Sequence, residues 1–337
     1  MKAAVWKGVE QLEIEDLPIP VPKDPYDVQV KVISCGVCAT DLHILEGKFP
    51  MFKPPRVIGH EFTGIVTALG REVKKLKLGD RVAVETGLAC DRCYFCRDGR
   101  EHQCLHRYAH PGGYAEYALY PDRNVHKLPD ALSFELAALA EPVACVLHAI
   151  DIAKVRSGDV ALVLGGGTIG CIMTQLLLHS GASKVLISEP QAHRREINKA
   201  VGGIPVNPKE QDLAAFVKEH TDGLGPEIVF DCLGHPALLE TGIDLVQKGG
   251  TVFMMGVADP EAVAKVRPYQ LFDKEIQIKS AFLRPYVFHR AVRWLPQLTL
   301  QPLLGVEYPL AQTKEAIHAL KQGKGLKIMV KPQEAAS

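Results

Sequence analysis

The sequence predicts a chain of mixed class: a barrel-like all-β domain joined to an α/β domain built on a doubly wound parallel sheet. Three observations carry this reading. At 337 residues the chain is long enough for two domains rather than one. Short β-branched runs, "VQVKVI", "TGIVTAL", "RVAVE" and "YAEYALY", crowd residues 1 to about 150 and are broken by Gly, Pro and Asp. Beyond that point strand-like "VALVL", "KVLIS", "EIVFD" and "TVFMM" alternate with helix-like "CIMTQLLLHS" and "LAAFVKEHT", the pattern of βαβ units.

The elements follow in order. The Pro-rich "LPIPVPKDP" (17–25) reads as an extended connection inside the first domain. The segment after Phe282 holds two helix-like stretches, "VFHRAVRWL" and "TKEAIHALKQGK". It is too short for a core of its own and is expected to return to the first domain. The boundaries are therefore placed at 1–150, 151–284 and 285–337, with a cysteine lobe at 90–104.

Composition excludes several classes. Basic and acidic residues balance at 39 each, and no basic stripe points to nucleic acid. The first residues become charged at once and lack the apolar core of a signal peptide. Val160 to Leu178 carries no charge over 19 residues, close to membrane-spanning length, but four glycines interrupt it. A buried strand, a turn and a buried helix account for it better than a membrane span. Nine cysteines, an odd number, argue for free or metal-bound thiols in a reducing, cytoplasmic setting rather than a disulfide framework.

Gly165, Gly167 and Gly170 form G-x-G-x-x-G directly after a predicted strand and at the start of a helix. The first allows the turn, the second lets backbone approach a pyrophosphate, and the third packs helix on strand. The free N–H groups of that helix start then face the phosphates. Glu189 ends the next predicted strand, 24 residues after Gly165. An acid there accepts hydrogen bonds from ribose hydroxyls and repels a 2′-phosphate, favouring NAD over NADP. Arg194 and Arg195 follow. They serve either as a helix's polar face or as phosphate and adenine contacts, which keeps NADP open as the lesser alternative.

Cys90, Cys93, Cys96 and Cys104 are spaced C-x2-C-x2-C-x7-C. Four thiolates close a tetrahedral shell around Zn²⁺ and leave no position for a reactant, so this site is expected to be structural. Chemistry must lie elsewhere. "CGVCATDLH" (35–43) and "GHEFTG" (59–64) supply Cys38, His60 and Glu61, a donor set that can hold Zn²⁺ on three sides and leave the fourth open. Spacing alone leaves both residue types free to be structural. Glu141 stands in the apolar run "ELAALAEPVACVLHAI". It is either a helix-start acid before Pro142 or a second carboxylate near the metal, and the two are compatible.

Taken together and in this order, "CGVCATDLH", "GHEFTG", the four-cysteine lobe, "GGYAEY" and "LGGGTIG" resemble the zinc-dependent medium-chain dehydrogenases over essentially the whole chain. The branch most similar holds the polyol, 2,3-butanediol and threonine dehydrogenases. The resemblance implies a GroES-like barrel, a Rossmann domain and a C-terminal return, with a catalytic zinc at the base of the cleft between them. It implies two zinc ions per chain, one catalytic and one structural. Cys38 and His60 match the ligand positions, and Glu61 and Glu141 match acids at or beside the metal. Thr40 matches the hydroxyl that takes the alcohol proton, and His43 the histidine that passes it to solvent by way of the cofactor ribose. Ile169 is implied near the pyrophosphate turn, and the backbone at Met255, Gly256, Val257, Ala281 and Phe282 beside the nicotinamide.

The activity implied is NAD- and zinc-dependent oxidation of a secondary alcohol, a polyol or vicinal diol, to the ketone. L-threonine 3-dehydrogenase is the alternative, and a nucleotide-binding protein without catalysis is the alternative of another class. Zinc lowers the pKa of bound water from about 16 to about 7, and the same pull on an alcohol would favour the alkoxide from which hydride leaves. The partners implied are a small-molecule alcohol and further copies of the chain, as a homodimer or homotetramer, with no nucleic acid and no membrane. Two departures stand out. Ala39 replaces a common Gly, and "FLRPYVFHRAV" (282–292) is similar to the polyol-type pattern, with Arg284 available to a polar substrate.

Overall fold

The computed structural model describes residues 1–49, 51–108, 111–323 and 325–333. Its chain divides into two compact units, Met1–Ala144 with Pro285–Ser337, and Cys145–Arg284. The first division falls inside the helix Ala140–Ala153, six residues before the boundary expected at 150. Helical periodicity continues through that point, so composition gave no mark of it.

The first unit is organised around the strand Asp27–Gly36. Val28, Val30 and Val32 alternate inward and are fully buried, as a half-buried strand requires. This strand pairs antiparallel with Tyr117–Pro121, with Glu61–Leu69 and, near its end, with Lys327–Lys331. Arg81–Glu85 and Val125–Lys127 extend the sheet beyond Glu61–Leu69, and Leu304–Pro309 extends it beyond Lys327–Lys331. A smaller sheet joins Lys2–Gly8 to Gln11–Asp16 and Arg56–Val57. The segment after residue 285 thus returns to this unit. Its helix Thr313–Lys321 buries Ala316 and Ile317 completely, an apolar face contributing about 1.5–3 kcal/mol for each large side chain removed from water.

The second unit is a six-stranded parallel sheet. Its order is Ile204–Val206, Lys184–Ser188, Val160–Leu164, Ile228–Asp231, Thr251–Met254, Gln277–Ser280. Counted along the chain this is 3-2-1-4-5-6, the doubly wound Rossmann order, with its switch point between the first and fourth strands. Leu162, Leu164, Leu186, Val229 and Val252 are at most 1 % exposed, as strands covered on both faces demand. The uncharged run 160–178 resolves into the strand Val160–Leu164, a glycine turn and the helix Thr168–His179. Among the described residues one run, Phe134–Ala153, has membrane-crossing length and hydropathy, and 72 % of it is buried inside the protein.

Candidate active site

Cys38 precedes the helix Ala39–Leu45, and His60 and Glu61 lead into the strand Glu61–Leu69. Two glycines shape the approach. Gly59 has φ +90°, and a Cβ there would lie 2.9 Å from the Tyr114 ring and 3.0 Å from Cys35 Sγ. A Cβ on Gly36 would lie 2.3 Å from Glu61 Oε2. The ligand atoms of Cys38, His60 and Glu61 all come within 4.8 Å of one another. A thiol, an imidazole and a carboxyl so gathered fit the donor set of a zinc site with one position open.

Asp41 stands behind them, fully buried. Its Oδ2 accepts hydrogen bonds from the Cys38 N–H at 2.9 Å and the Tyr114 hydroxyl at 2.8 Å, and its Oδ1 faces His60 Nδ1 at 3.5 Å. Burial opposes the Asp41 charge, but His60 and these donors outweigh it and hold the carboxyl below its ordinary pKa. Burial likewise opposes a charged His60, while Asp41 and Cys38 more than reverse this and raise its pKa well above the usual value. A carboxylate held against Nδ1 orients the ring and leaves Nε2 for a metal.

Lys327 approaches from the C-terminal return and is 4 % exposed. Its ammonium donates to Glu61 Oε1 at 2.8 Å, Glu61 Oε2 at 2.6 Å and the Val37 carbonyl at 3.2 Å. Burial pushes the Glu61 carboxyl up, Lys327 pulls it down, and the Glu141 charge pushes it up again, for a net rise. Lys327 stays above its ordinary pKa despite burial because Glu61, Cys38 and Glu141 surround it with negative charge. Glu141 lies in the first turn of its helix and is 6 % exposed. Its carboxylate is not within the 4.8 Å set, although its field reaches both Glu61 and Lys327. Thr40 Oγ1 accepts from the Cys38 thiol at 3.6 Å. His43 lies three residues further along the same helix, hence on the same face as Thr40.

In the lobe the four cysteine sulfurs gather without forming a disulfide. Cys93 and Cys96 Sγ are 3.5 Å apart, Cys93 and Cys104 3.9 Å, and Cys90 and Cys96 4.0 Å. A tetrahedron of Zn–S bonds of about 2.3 Å has edges of about 3.8 Å, so the sulfurs already stand at metal-binding separations. Backbone N–H groups of Cys90, Cys93 and His106 point at these sulfurs at 3.3–3.4 Å, which favours thiolates. Among the described residues the lobe's buried apolar cluster is Ala89, Cys90 and Cys104, with Cys93 and Cys96 packed against it.

In the second unit Gly165 has φ +105°, and a Cβ on Gly170 would lie 1.9 Å from the Gly165 carbonyl. Gly167 precedes the helix Thr168–His179, with Ile169 in its first turn. Glu189, one residue past the strand Lys184–Ser188, accepts from Gly166 N–H at 2.9 Å and Gln191 N–H at 2.8 Å, and Arg194 Nη1 is 3.9 Å away. Arg195 donates to the carbonyls of Glu189 and Pro190. Met255 and Gly256 donate their N–H groups to the Asp231 carbonyl. With Val257 they follow the strand Thr251–Met254, and Ala281 and Phe282 follow Gln277–Ser280. All five therefore lie just past the carboxyl ends of parallel strands, where ligands of open α/β sheets bind.

Residues 24–130 match the family described as alcohol dehydrogenase GroES-like domain, and 168–297 the family described as zinc-binding dehydrogenase. The sorbitol dehydrogenase of Bacillus subtilis is 31 % identical over 347 residues, covering 98 % of this chain and 97 % of its own. The chain belongs to the zinc-dependent medium-chain dehydrogenases. This dehydrogenase is also similar to the L-threonine 3-dehydrogenase of Thermococcus kodakarensis, at 32 % identity over 99 % of this chain and 97 % of the other. A zinc-binding dehydrogenase structure from Sinorhizobium meliloti, described as bound to NADP, superposes with a TM-score of 0.93 at 30 % identity, covering 98 % of this chain and 99 % of that one. The dehydrogenase is thus an oxidoreductase of alcohols with a GroES-like unit and a Rossmann unit.

Sequence reading missed three residues of the dehydrogenase's site. Asp41 lay inside the quoted "CGVCATDLH", and its distance of three residues from Cys38 was the available signal. Tyr114 lay inside the quoted "GGYAEY" with nothing to tie it to Asp41, and Lys327 carried no signal, since it reaches the site through the pairing of Lys327–Lys331 with the end of Asp27–Gly36.

Proposed function

We propose that this dehydrogenase oxidises a secondary alcohol, a polyol or vicinal diol, to the ketone, with NAD as acceptor and zinc held by Cys38, His60 and Glu61. The convergence of those three donors, backed by Asp41 on His60, carries the reading. Zinc bound there supplies a Lewis acid that lowers the alcohol's pKa, and the nicotinamide supplies the hydride acceptor. The chain's own residues do the rest. Asp41 keeps the His60 ring turned. Lys327 balances the Cys38, Glu61 and Glu141 charges, so that the pocket is not overwhelmingly negative. The Thr40 hydroxyl is placed to take the proton that the alcohol loses, and His43, on the same helix face, to receive it. The four-cysteine lobe is the structural zinc site, giving two zinc ions per chain.

The choice of NAD rests on Glu189, whose carboxylate is fixed beside the glycine turn and would repel a 2′-phosphate. The homo-oligomeric state is supported by the cofactor unit's edge strand, Gln277–Ser280, near which Tyr269 and Phe272 are 75 % and 79 % exposed. A cytoplasmic location is supported by nine free cysteines.

Formation of reduced nicotinamide on panels of sorbitol, xylitol, 2,3-butanediol and L-threonine, with NAD and with NADP, tests the proposal. Turnover of the polyols or diols with NAD is expected. Threonine as the preferred substrate would establish the second reading, which the Thermococcus kodakarensis relative favours. Reduced nicotinamide binding without turnover of any alcohol would overturn both.

A further inference from the structure

Outside the site just described, the β-rich unit holds a cavity of about 300 Å³. Its lining comes from the end of the strand Arg81–Glu85, the cysteine lobe, the Arg123–His126 segment and the start of the helix Phe288–Trp294. The wall carries three carboxylates, Glu85, Asp91 and Glu101, against Arg123 and the imidazoles of His126 and His289. Among the described residues the Glu85 carboxylate has one ionic neighbour, His126 Nε2 at 3.5 Å, and that nitrogen is shielded from solvent without a hydrogen bond. Glu101 lines the cavity from the lobe; burial and the Glu85 charge push its carboxyl up, and a hydrogen bond from the Tyr286 N–H and the Arg123 charge offset part of that rise. Among the described residues Arg123 is the one Arg or Lys on the wall, and it is committed to the Asp91 carboxylate and the Ala89 carbonyl.

Asn124 makes the arrangement specific. It is 6 % exposed, and its amide nitrogen donates to the carbonyls of Glu85 at 2.9 Å and Gly87 at 2.8 Å. Two carbonyl partners assign the nitrogen end of the amide. The oxygen, which accepts no hydrogen bond among the described residues, is the end left for the cavity that Asn124 lines.

We propose that this cavity binds a small organic ammonium compound, its ammonium held by the Glu85 and Glu101 carboxylates and Asn124 Oδ1, and its carbon chain against Tyr286 and Phe288. An ammonium offers three donors and no acceptor, one for each of the Glu85 and Glu101 carboxylates and the Asn124 amide oxygen. Its charge relieves the repulsion between two carboxylates that face one space, and aromatic rings suit a cation and its methylenes alike. A bare metal ion fits less well. Among the described residues no three His, Cys, Asp or Glu donors of this cavity come within metal-holding distance. The volume also exceeds the share of one water, about 30 Å³, roughly tenfold. The inference does not depend on the reaction the dehydrogenase performs.

Calorimetric titration of the zinc-loaded protein with methylammonium, n-butylammonium and 1,4-diaminobutane tests this, with magnesium chloride as the metal control. Saturable one-to-one binding of at least one amine is expected, weakened about tenfold or more in Glu85→Gln and in Glu101→Gln. Both variants should keep wild-type zinc content and circular dichroism. No binding by any of the three amines up to about 10 mM overturns the proposal. So does amine binding that both variants leave unchanged, which would place the amine elsewhere, or magnesium that displaces the amine at equal concentration.

Discussion

Lys327 donates to both carboxylate oxygens of Glu61, at 2.8 and 2.6 Å, across 266 residues of sequence. Both side chains are at most 5 % exposed. The pair exists because Lys327–Lys331 lies antiparallel beside the end of Asp27–Gly36, where Met329 faces Gly36, while Gly36 faces Glu61 on its other side. A buried pair of this kind is costly to break, because the partner left behind remains dry and charged.

Lys327→Met should therefore destabilise the protein by about 3–5 kcal/mol, read as a lower denaturant midpoint at unchanged slope. Adding Glu61→Gln should recover part of that loss, since the orphaned charge is gone. A single variant as stable as wild type would show that Glu61 needs no counter-charge.

Asp41→Asn keeps the shape but removes the charge that faces His60 Nδ1. Zinc affinity at the three-donor site should fall about 10–100-fold, measured by competition with a chromogenic chelator. The four-cysteine site serves as the internal control, and its affinity should not move.

Cys96→Ser removes one of four sulfurs from a lobe whose buried apolar cluster, among the described residues, is Ala89, Cys90 and Cys104. Metal analysis should fall from two zinc ions per chain to one. The lobe should become sensitive to limited proteolysis within residues 90–104 while the sheet remains protected. Two zinc ions in this variant would remove the structural assignment.

Glu46 lies at the end of the helix Ala39–Leu45, and hydrogen bonds from Lys321 and Lys48 pull its carboxyl from 4.5 to about 2. A carboxyl whose folded pKa is depressed contributes stability above its unfolded pKa and loses it as pH falls toward the folded one. Lys321 and Lys48 are 62 % and 53 % exposed, so screening limits the contribution to about 1 kcal/mol or less. Wild type should exceed Glu46→Gln in stability at pH 7, and the gap should narrow below about pH 4.5. A gap constant between pH 6 and pH 3 would argue against the linkage.

Much of the site was legible because its donors are local. The cysteine spacing of the lobe, the Cys38 turn, the His60–Glu61 pair and the glycine turn each occupy a few consecutive residues, so chain geometry alone holds their atoms near one another. Strand alternation was equally readable in Asp27–Gly36, where Val28, Val30 and Val32 take the inner positions. The three-residue strand Ile204–Val206 and the four-residue strand Gln277–Ser280 were not. Runs so short carry too few alternations to stand out, and they exist because a neighbouring strand supplies their hydrogen bonds.

By itself the sequence determined which chemical groups this dehydrogenase possesses and which of them cluster locally: the four lobe cysteines, Cys38 and the His60–Glu61 pair, a glycine turn opening a helix, and Glu189 one residue past the next strand. Only the tertiary structure decided that Lys327 neutralises Glu61, that Tyr114 and Asp41 brace His60, and that Glu85, Glu101 and Asn124 share one cavity. Spacing along the chain encodes proximity over a few residues. Contacts between residues as far apart as 61 and 327 depend instead on strand register, which the packing of whole sheets selects.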